Sequence, residues 1–313
     1  TLNCNNPIMR TFIIDALHYW VVDMHVDGFR FDLGSILGRD HEGNLLERAP
    51  IIERIAEDPV LVNTKIIAEA WDAGGAYQVG AFPGRWAEWN DRFRDDVRRF
   101  WRGDRGLVGA LATRFAGSSD LYDGNGRKPF HSINFVTSHD GFTLRDLVSY
   151  NRKHNDANGE ANRDGHNANF SFNYGVEGEA SDPEIDAIRR RQMKNYLATL
   201  LLSLGTPMLL SGDEFGRSQW GNNNAYCQDN PISWNDYQLG AEYGEIFRFT
   251  RMLIALRQTH HVFTRSEFYT GRDNNQNLRP DIQWFDAGGG PLDWSSASCC
   301  LGVYIDGTEA GGP

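Results

Sequence analysis

Short apolar strands alternate with helical segments along most of the chain, and this alternation restricts the fold more than any other feature. Five segments read as strands, each apolar along its length: 25–33, 64–71, 84–91, 131–141 and 206–214. Because helical patterns separate them, the order predicts βαβ units and a parallel sheet. Four of the five strands end in acidic or polar groups, as expected where an active site lies at the carboxyl ends of barrel strands.

The first of these strands, HVDGFRFDL, mixes apolar residues with charged ones. Alternate residues of a strand face opposite sides, so Phe29 and Phe31 share one face. Gly28, Arg30 and Asp32 share the other face, which presents a guanidinium and a carboxylate side by side toward a cleft. A neighbouring cation favours the ionised carboxylate that a nucleophile requires. A purely structural Arg–Asp pair is an equally valid interpretation of this strand alone.

Carboxylates also end two later strands. Glu69 ends TKIIAEAW beside Trp71, and apolar surroundings there would favour the protonated form that a general acid needs. Asp140 ends the strand INFVTSHD and is preceded by His139. We therefore expect three carboxylates, with an arginine and a histidine, at the ends of separate strands.

Such a set suits glycoside hydrolysis. In a retaining enzyme one carboxylate attacks the anomeric carbon, while a second, about 5–5.5 Å away, protonates the leaving oxygen. This chemistry needs no metal, nucleotide or flavin. The sequence also contains no Walker loop, no GxGxxG after a strand and no HExxH. We therefore expect no cofactor and no metal site.

Composition restricts the possible partners. The net charge is −11 and there is no basic run of the kind that marks a nucleic-acid-binding protein, so a neutral polymer is a more suitable partner. The four cysteines have no metal-ligand spacing, and the adjacent pair Cys299 and Cys300 is poorly placed to form a disulfide. This usage predicts a reducing, cytoplasmic context. No apolar run reaches the roughly 18 residues that a membrane helix needs.

The motifs DGFRFD, EAW and FVTSHD, in this order, resemble the second, third and fourth signature regions of the α-amylase superfamily. Longer strings resemble its isoamylase and bacterial glycogen-debranching subgroup: HVDGFRFDLGSILGRD, INFVTSHDGFTLRDLVSYNRKHNDANGEANRDG and GNNNAYCQDNPISW. The resemblance runs from residue 1 to about residue 260. It implies an α/β fold, an incomplete (β/α)8 TIM barrel with strands four to eight present, over residues 1–261. The start of a C-terminal β-sandwich domain would then occupy residues 262–313.

The resemblance also implies roles for matching positions. Asp32 corresponds to the nucleophile, Glu69 to the general acid/base, and Asp140 to the third carboxylate, which holds sugar hydroxyls. Arg30 and His139 match residues that orient the nucleophile and bind the glucose unit at the cleavage point.

Three further positions remain to be assigned. Trp71 could stack on a glucose ring or could equally serve packing. Asp213 and Glu214 lie in SGDEFG, which resembles the end of the eighth barrel strand, where the family has no catalytic carboxylate. We therefore predict a structural or rim position for both.

The chain departs from the family pattern at its start. The first signature region, Asp-x-x-x-Asn-His, is absent, as are strands one to three and an amino-terminal domain, so we expect an internal portion of a longer protein. The predicted function is hydrolysis of α-1,6 branch linkages in glycogen or a related α-glucan, with retention. The alternatives are a glucan branching enzyme or other α-glucan-active relative, and a non-catalytic glucan-binding fragment. The string FVTSHDGFTL favours the debranching enzyme.

Overall fold

The computed structural model of the chain describes residues 2–295 and 298–309. It divides into two compact units. The first unit combines the residues up to 90 with residues 119–133. The second unit combines residues 91–118 with the residues from 134 onward. The boundary near residue 262, between a barrel portion and a β-sandwich domain, remains a prediction.

The helices and strands of the described residues follow the predicted alternation except between the second and third strands, which no helix separates. The α-helices are α1 Pro7–Val22, α2 Pro50–Glu57, α3 Asp91–Arg102, α4 Val108–Phe115, α5 Ser119–Tyr122, α6 Leu144–Leu147, α7 Pro183–Leu202, α8 Leu239–Glu242 and α9 Gly244–Thr259. The strands are β1 Gly28–Phe31, β2 Lys65–Ala68, β3 Ala87–Asn90, β4 Ser132–Asn134, β5 Thr206–Pro207, β6 Ile282–Phe285 and β7 Gly302–Ile305. Each segment predicted as a strand therefore contains one, although β4 and β5 are only three and two residues long.

Helix α1 begins as its sequence predicts. The side chain of Asn6 accepts hydrogen bonds from the backbone N–H groups of Ile8 and Met9. Pro7 occupies the first helical position, where its missing N–H costs no intrahelical hydrogen bond. The local sequence is therefore sufficient to start this helix.

Apolar residues recur at helical spacing along α1, which predicts one buried face, but that face is less buried than expected. Leu17 is buried, whereas Ile8, Phe12 and Trp20 are exposed. In the part of the chain that the structure describes, this face of α1 is thus largely uncovered.

The strands of the first unit are parallel, as predicted. Strand β1 pairs with β2, with Gly28 opposite Lys65 and Phe31 opposite Ala68. Strand β2 pairs in parallel with β3, and β4 begins beside β3. A Cβ atom on Gly28 would lie 2.8 Å from the Cβ of Lys65, so only glycine allows this close approach of the two strands.

Trp86 lies at the centre of the core of the first unit. Its ring is fully buried and makes edge contacts with Phe31 and Phe82, at centroid distances of 4.8 and 5.3 Å. Its indole N–H donates to the carbonyl of Ile52 in α2, at 3.1 Å. Edge contacts of this kind contribute about 0.5–1.5 kcal/mol each beyond burial. Trp86 therefore fixes β1, which carries Arg30, against α2.

The second unit buries a larger core. Its fully or nearly buried residues come mainly from α3, α4, α7 and α9, and include Phe93, Val97, Phe100, Leu111, Met193, Tyr196, Leu197, Leu200, Ile246 and Leu253. The N–H of Met208, just after β5, donates to the carbonyl of Asn134 in β4 at 2.7 Å. Strands β6 and β7 form a separate antiparallel pair. The second unit thus joins the end of β4 to β5 beside a helical core.

Candidate active site

The ends of β1 and β2 meet at Arg30. Asp32 directly follows β1 and Glu69 directly follows β2, and the parallel register brings the two positions side by side. The Nη1 atom of Arg30 donates to Oδ1 of Asp32 at 2.7 Å. Its Nη2 atom lies 2.7 Å from Oε1 of Glu69. The structure therefore brings together three of the residues predicted for the site.

The two carboxylates have different surroundings. The side chain of Asp32 is 69% exposed, whereas that of Glu69 is 5% exposed. The second oxygen of Glu69 accepts a hydrogen bond from the N–H of Leu33, at 2.8 Å. Glu69 is thus buried as expected, but its carboxylate has a cation and a backbone donor beside it rather than purely apolar company. Both partners belong to the end of β1, which parallel pairing brings to β2.

Trp89 supports the arginine from the neighbouring strand. It is the penultimate residue of β3, and its ring lies 4.3 Å from the guanidinium carbon of Arg30. The preceding residue, Glu88, is fully buried and accepts from Arg127 at 2.7 Å. Our sequence reasoning missed Trp89, although its place near the end of the third strand was a usable signal.

Trp71 begins the loop that follows Glu69. It forms an isolated antiparallel bridge with Tyr77. Between them, Asp72 accepts two hydrogen bonds from Arg39, at 2.6 and 3.0 Å, and this contact holds the pKa of Asp72 below its usual value. Trp71 therefore lies two residues beyond Glu69, on a loop held by an ion pair.

His139 and Asp140 belong to the second unit. Both side chains are 56% exposed, and the Nε2 atom of His139 lies 3.5 Å from Oδ2 of Asp140. The next residue, Gly141, has a φ of 110°, which favours glycine, and its N–H donates to the carbonyl of Asn223 at 2.9 Å. The two predicted residues are thus adjacent and exposed on a turn after β4.

Asp213 lies inside the second unit. Its Oδ2 atom accepts from the hydroxyl of Thr137, and its Oδ1 atom accepts from the N–H of Leu144 at 2.8 Å. Burial raises the pKa of Asp213 to about 7, although both hydrogen bonds act in the opposite direction. The neighbouring Glu214 accepts from the N–H of Gly212 at 2.9 Å. Asp213 is therefore an interior hydrogen-bond acceptor.

Two further features concern ligands and membranes. Among residues 2–295 and 298–309, no group of three or more His, Cys, Asp or Glu side chains is arranged to hold a metal ion. No α-helix within those same ranges is both long and apolar enough to cross a bilayer.

Comparison with known proteins gives close relatives by sequence. The chain is 49% identical to a glycogen operon protein GlgX homolog of Mycobacterium bovis, over all of this chain and 44% of that protein. It is 52% identical to the chloroplastic isoamylase 3 of Oryza sativa, over 87% of this chain and 35% of that protein. It is 47% identical to a glycogen debranching enzyme of Enterobacter, over 97% and 46% respectively. The chain thus spans less than half the length of these curated relatives. No protein-family model matches it.

Solved structures with a similar fold are pullulanases. The pullulanase of Anoxybacillus sp. LM18-11 complexed with maltotetraose is 27% identical and superimposes with a TM-score of 0.62, covering 93% of this chain and 40% of that one. The pullulanase of Bacillus acidopullulyticus gives a TM-score of 0.63 at 24% identity, covering 83% and 29%, which compares the fold alone. The α/β fold with parallel strands is therefore similar to that of the pullulanases. The resemblance predicted from the motifs is confirmed, and the chain belongs to the isoamylase and glycogen-debranching subgroup of the α-amylase superfamily.

Proposed function

We propose that the chain carries the catalytic pair of a retaining glycoside hydrolase that cleaves α-1,6 branch linkages of glycogen or a related α-glucan. The observation that supports this most directly is the guanidinium of Arg30, which contacts both Asp32 and Glu69 at 2.7 Å. Since one side chain reaches both carboxylates, they lie close together, as a retaining mechanism requires at about 5–5.5 Å. The names of the curated relatives agree with this substrate class.

The different exposure of the two carboxylates supports different roles. Asp32 is largely exposed, so its carboxylate is accessible to an anomeric carbon, whereas Glu69 is enclosed at the end of the neighbouring strand. We therefore assign the nucleophile to Asp32 and the acid/base to Glu69. Asp32 then attacks the anomeric carbon while Glu69 protonates the leaving oxygen. In the second step Glu69 removes a proton from the attacking water.

The remaining site residues have proposed roles in binding. Asp140 and His139 would hold hydroxyl groups of the glucose unit at the cleavage point, and Trp71 would stack on a sugar ring. All three side chains are at least partly exposed, so a ligand can reach them. Maltotetraose in the pullulanase of Anoxybacillus is a ligand of the same chemical class.

The finer architecture is proposed on the same basis. The portion up to residue 261 corresponds to barrel strands four to eight, and the antiparallel pair β6–β7 begins a C-terminal β-sandwich. A cytoplasmic location is consistent with the four cysteines, which form no disulfide within the described residues, although the names of three relatives place those proteins in chloroplasts.

The test is the release of reducing ends from glycogen by the full chain and its variants. Asp32→Asn and Glu69→Gln are expected to abolish release, whereas Glu57→Gln, on the exposed end of α2, serves as a matched control and retains it. Chain-length analysis should show free linear chains, and transfer products would instead indicate a branching enzyme. Glucan binding without hydrolysis by the unaltered chain would contradict the proposal.

A further inference from the structure

The segment of residues 137–144 contains His139 and Asp140. One buried carboxylate accepts hydrogen bonds from both ends of this segment. At the amino end, the hydroxyl of Thr137 donates to Asp213. At the carboxyl end, the N–H of Leu144 donates to the other oxygen of Asp213, at 2.8 Å. Asp213 is only 1% exposed, so water does not compete for these bonds. Each carboxylate oxygen of Asp213 therefore accepts a hydrogen bond from one end of the segment.

The middle of segment 137–144 makes hydrogen bonds between neutral groups. The hydroxyl of Ser138 donates to the carbonyl of Asp140 at 3.0 Å, which is a contact within the segment. The N–H of Gly141 donates to the carbonyl of Asn223 at 2.9 Å, which ties the middle of the segment to another loop. A carboxylate that accepts two donors at once is a stronger restraint than either neutral contact.

We propose that Asp213 is a positioning residue that holds segment 137–144, and with it His139 and Asp140, in the geometry needed for glucan hydrolysis. The catalytic consequence rests on the proposed function, whereas the restraint on the segment does not. Asp213 acts through the ends of the segment. Its loss leaves the buried N–H of Leu144 without its acceptor and frees the hydroxyl of Thr137 at the same time.

The first test is hydrogen exchange in the full chain. In Asp213→Ala, exchange of the backbone amides of 137–144 should rise by about tenfold or more, and in Thr137→Val by a few-fold. Glu214→Gln, which alters the adjacent carboxylate, should leave this exchange unchanged. If Asp213→Ala does not fold, Thr137→Val replaces it, because it removes one hydroxyl and keeps the side-chain volume. Unchanged exchange in Thr137→Val and in any folded Asp213 variant would overturn the inference.

The second test uses hydrolysis and separates positioning from general destabilisation. We expect kcat/KM to fall by about tenfold or more in Asp213→Ala and to be largely restored in Asp213→Asn, whose amide oxygen can still accept from Leu144. Combined with Asp140→Asn, Asp213→Ala should add little further loss, and fully additive losses would contradict positioning through Asp140. If the unaltered chain releases no reducing ends, the proposed function fails, and hydrogen exchange alone then decides whether Asp213 holds the segment.

Discussion

Arg30 contacts two carboxylates at the same distance, yet the structure predicts very different interaction energies for the two contacts. Asp32 is 69% exposed, so solvent screens its pair with Arg30, and we expect a coupling free energy of at most about 1 kcal/mol. Glu69 is 5% exposed. Breaking a fully buried pair costs about 3–5 kcal/mol, and because Arg30 is itself 27% exposed we expect about 2–3 kcal/mol. Arg30 is therefore predicted to interact more strongly with Glu69 than with Asp32.

Two double-mutant cycles measure this difference. Each combines Arg30→Met, which keeps most of the apolar stem, with either Glu69→Gln or Asp32→Asn, and each variant is unfolded in urea. The contact of Arg30 with Trp89 is lost equally in both cycles, so it cancels from both coupling energies. Added salt should weaken the Asp32 coupling more than the Glu69 coupling. Equal coupling energies would show that burial of Glu69 does not decide the strength of these contacts.

Three further predictions follow from the described contacts. Burial raises the pKa of Asp146 to about 6, above the value of 3.8 expected in the unfolded chain. Protonated Asp146 therefore stabilises the fold fully below pH 3.8, and this stabilisation is lost as the pH rises through about 6. Relative to Asp146→Asn, the unaltered chain should lose about 2 kcal/mol of unfolding free energy between pH 4 and pH 7, and parallel urea-unfolding profiles would refute this. Trp89→Leu should lower kcat/KM by roughly 2- to 30-fold, because the cation–π contact with Arg30 is lost. Trp89→Phe keeps an aromatic ring and should lower kcat/KM less; equal losses in the two variants would contradict the role of the ring. Trp71→Ala should raise KM for glycogen with little change in kcat if the ring stacks on a sugar; an unchanged KM with lower stability to urea would assign it to packing.

Local patterns predicted the elements that local chemistry controls. The start of α1 depends on Asn6 and Pro7, which act within one turn, so the sequence alone places it. The parallel pairing of β1 and β2 follows from the intervening helix α2, whereas β2 and β3 are parallel although no helix separates them. The contact of Arg30 with Asp32 follows from the two-residue period of a strand, which places both side chains on one face.

Contacts between residues that are distant in the sequence could not be predicted from local patterns. The carboxylate of Glu69 meets the N–H of Leu33 only because β1 and β2 pair in one register, and no pattern within either strand contains that register. The exposure of Phe12 and Trp20 in α1 likewise depends on what packs against the helix, which helical spacing does not specify. Spacing identifies a face, whereas burial requires a partner for it.

The length of β4 was overestimated for a related reason. Phe135 and Val136 are buried, so the apolar run continues beyond Asn134 as predicted. The carbonyl of Val136, however, accepts from the side chain of Arg98 at 2.7 Å, so a guanidinium takes the place of a neighbouring strand. Burial lowers the pKa of Arg98 to about 10, which still leaves it charged at neutral pH. Apolar character extends further along the chain than the strand hydrogen bonding does.

The same substitution of side chains for strand partners explains why polar strand ends are an ambiguous sign of catalysis. Beyond the last paired residue of a strand, buried backbone groups still need hydrogen-bond partners. Glu69 supplies one to the N–H of Leu33, Asp213 supplies one to the N–H of Leu144, and Arg98 supplies one to the carbonyl of Val136. A charged residue at a strand end can therefore complete the backbone, react with a substrate, or do both. Exposure alone does not separate these cases, because Glu69 is buried, bonds the backbone and is also the proposed acid/base. The solvent-facing carboxylate of Asp32 is available to a ligand, whereas the enclosed carboxylate of Asp213 contacts the segment that it holds.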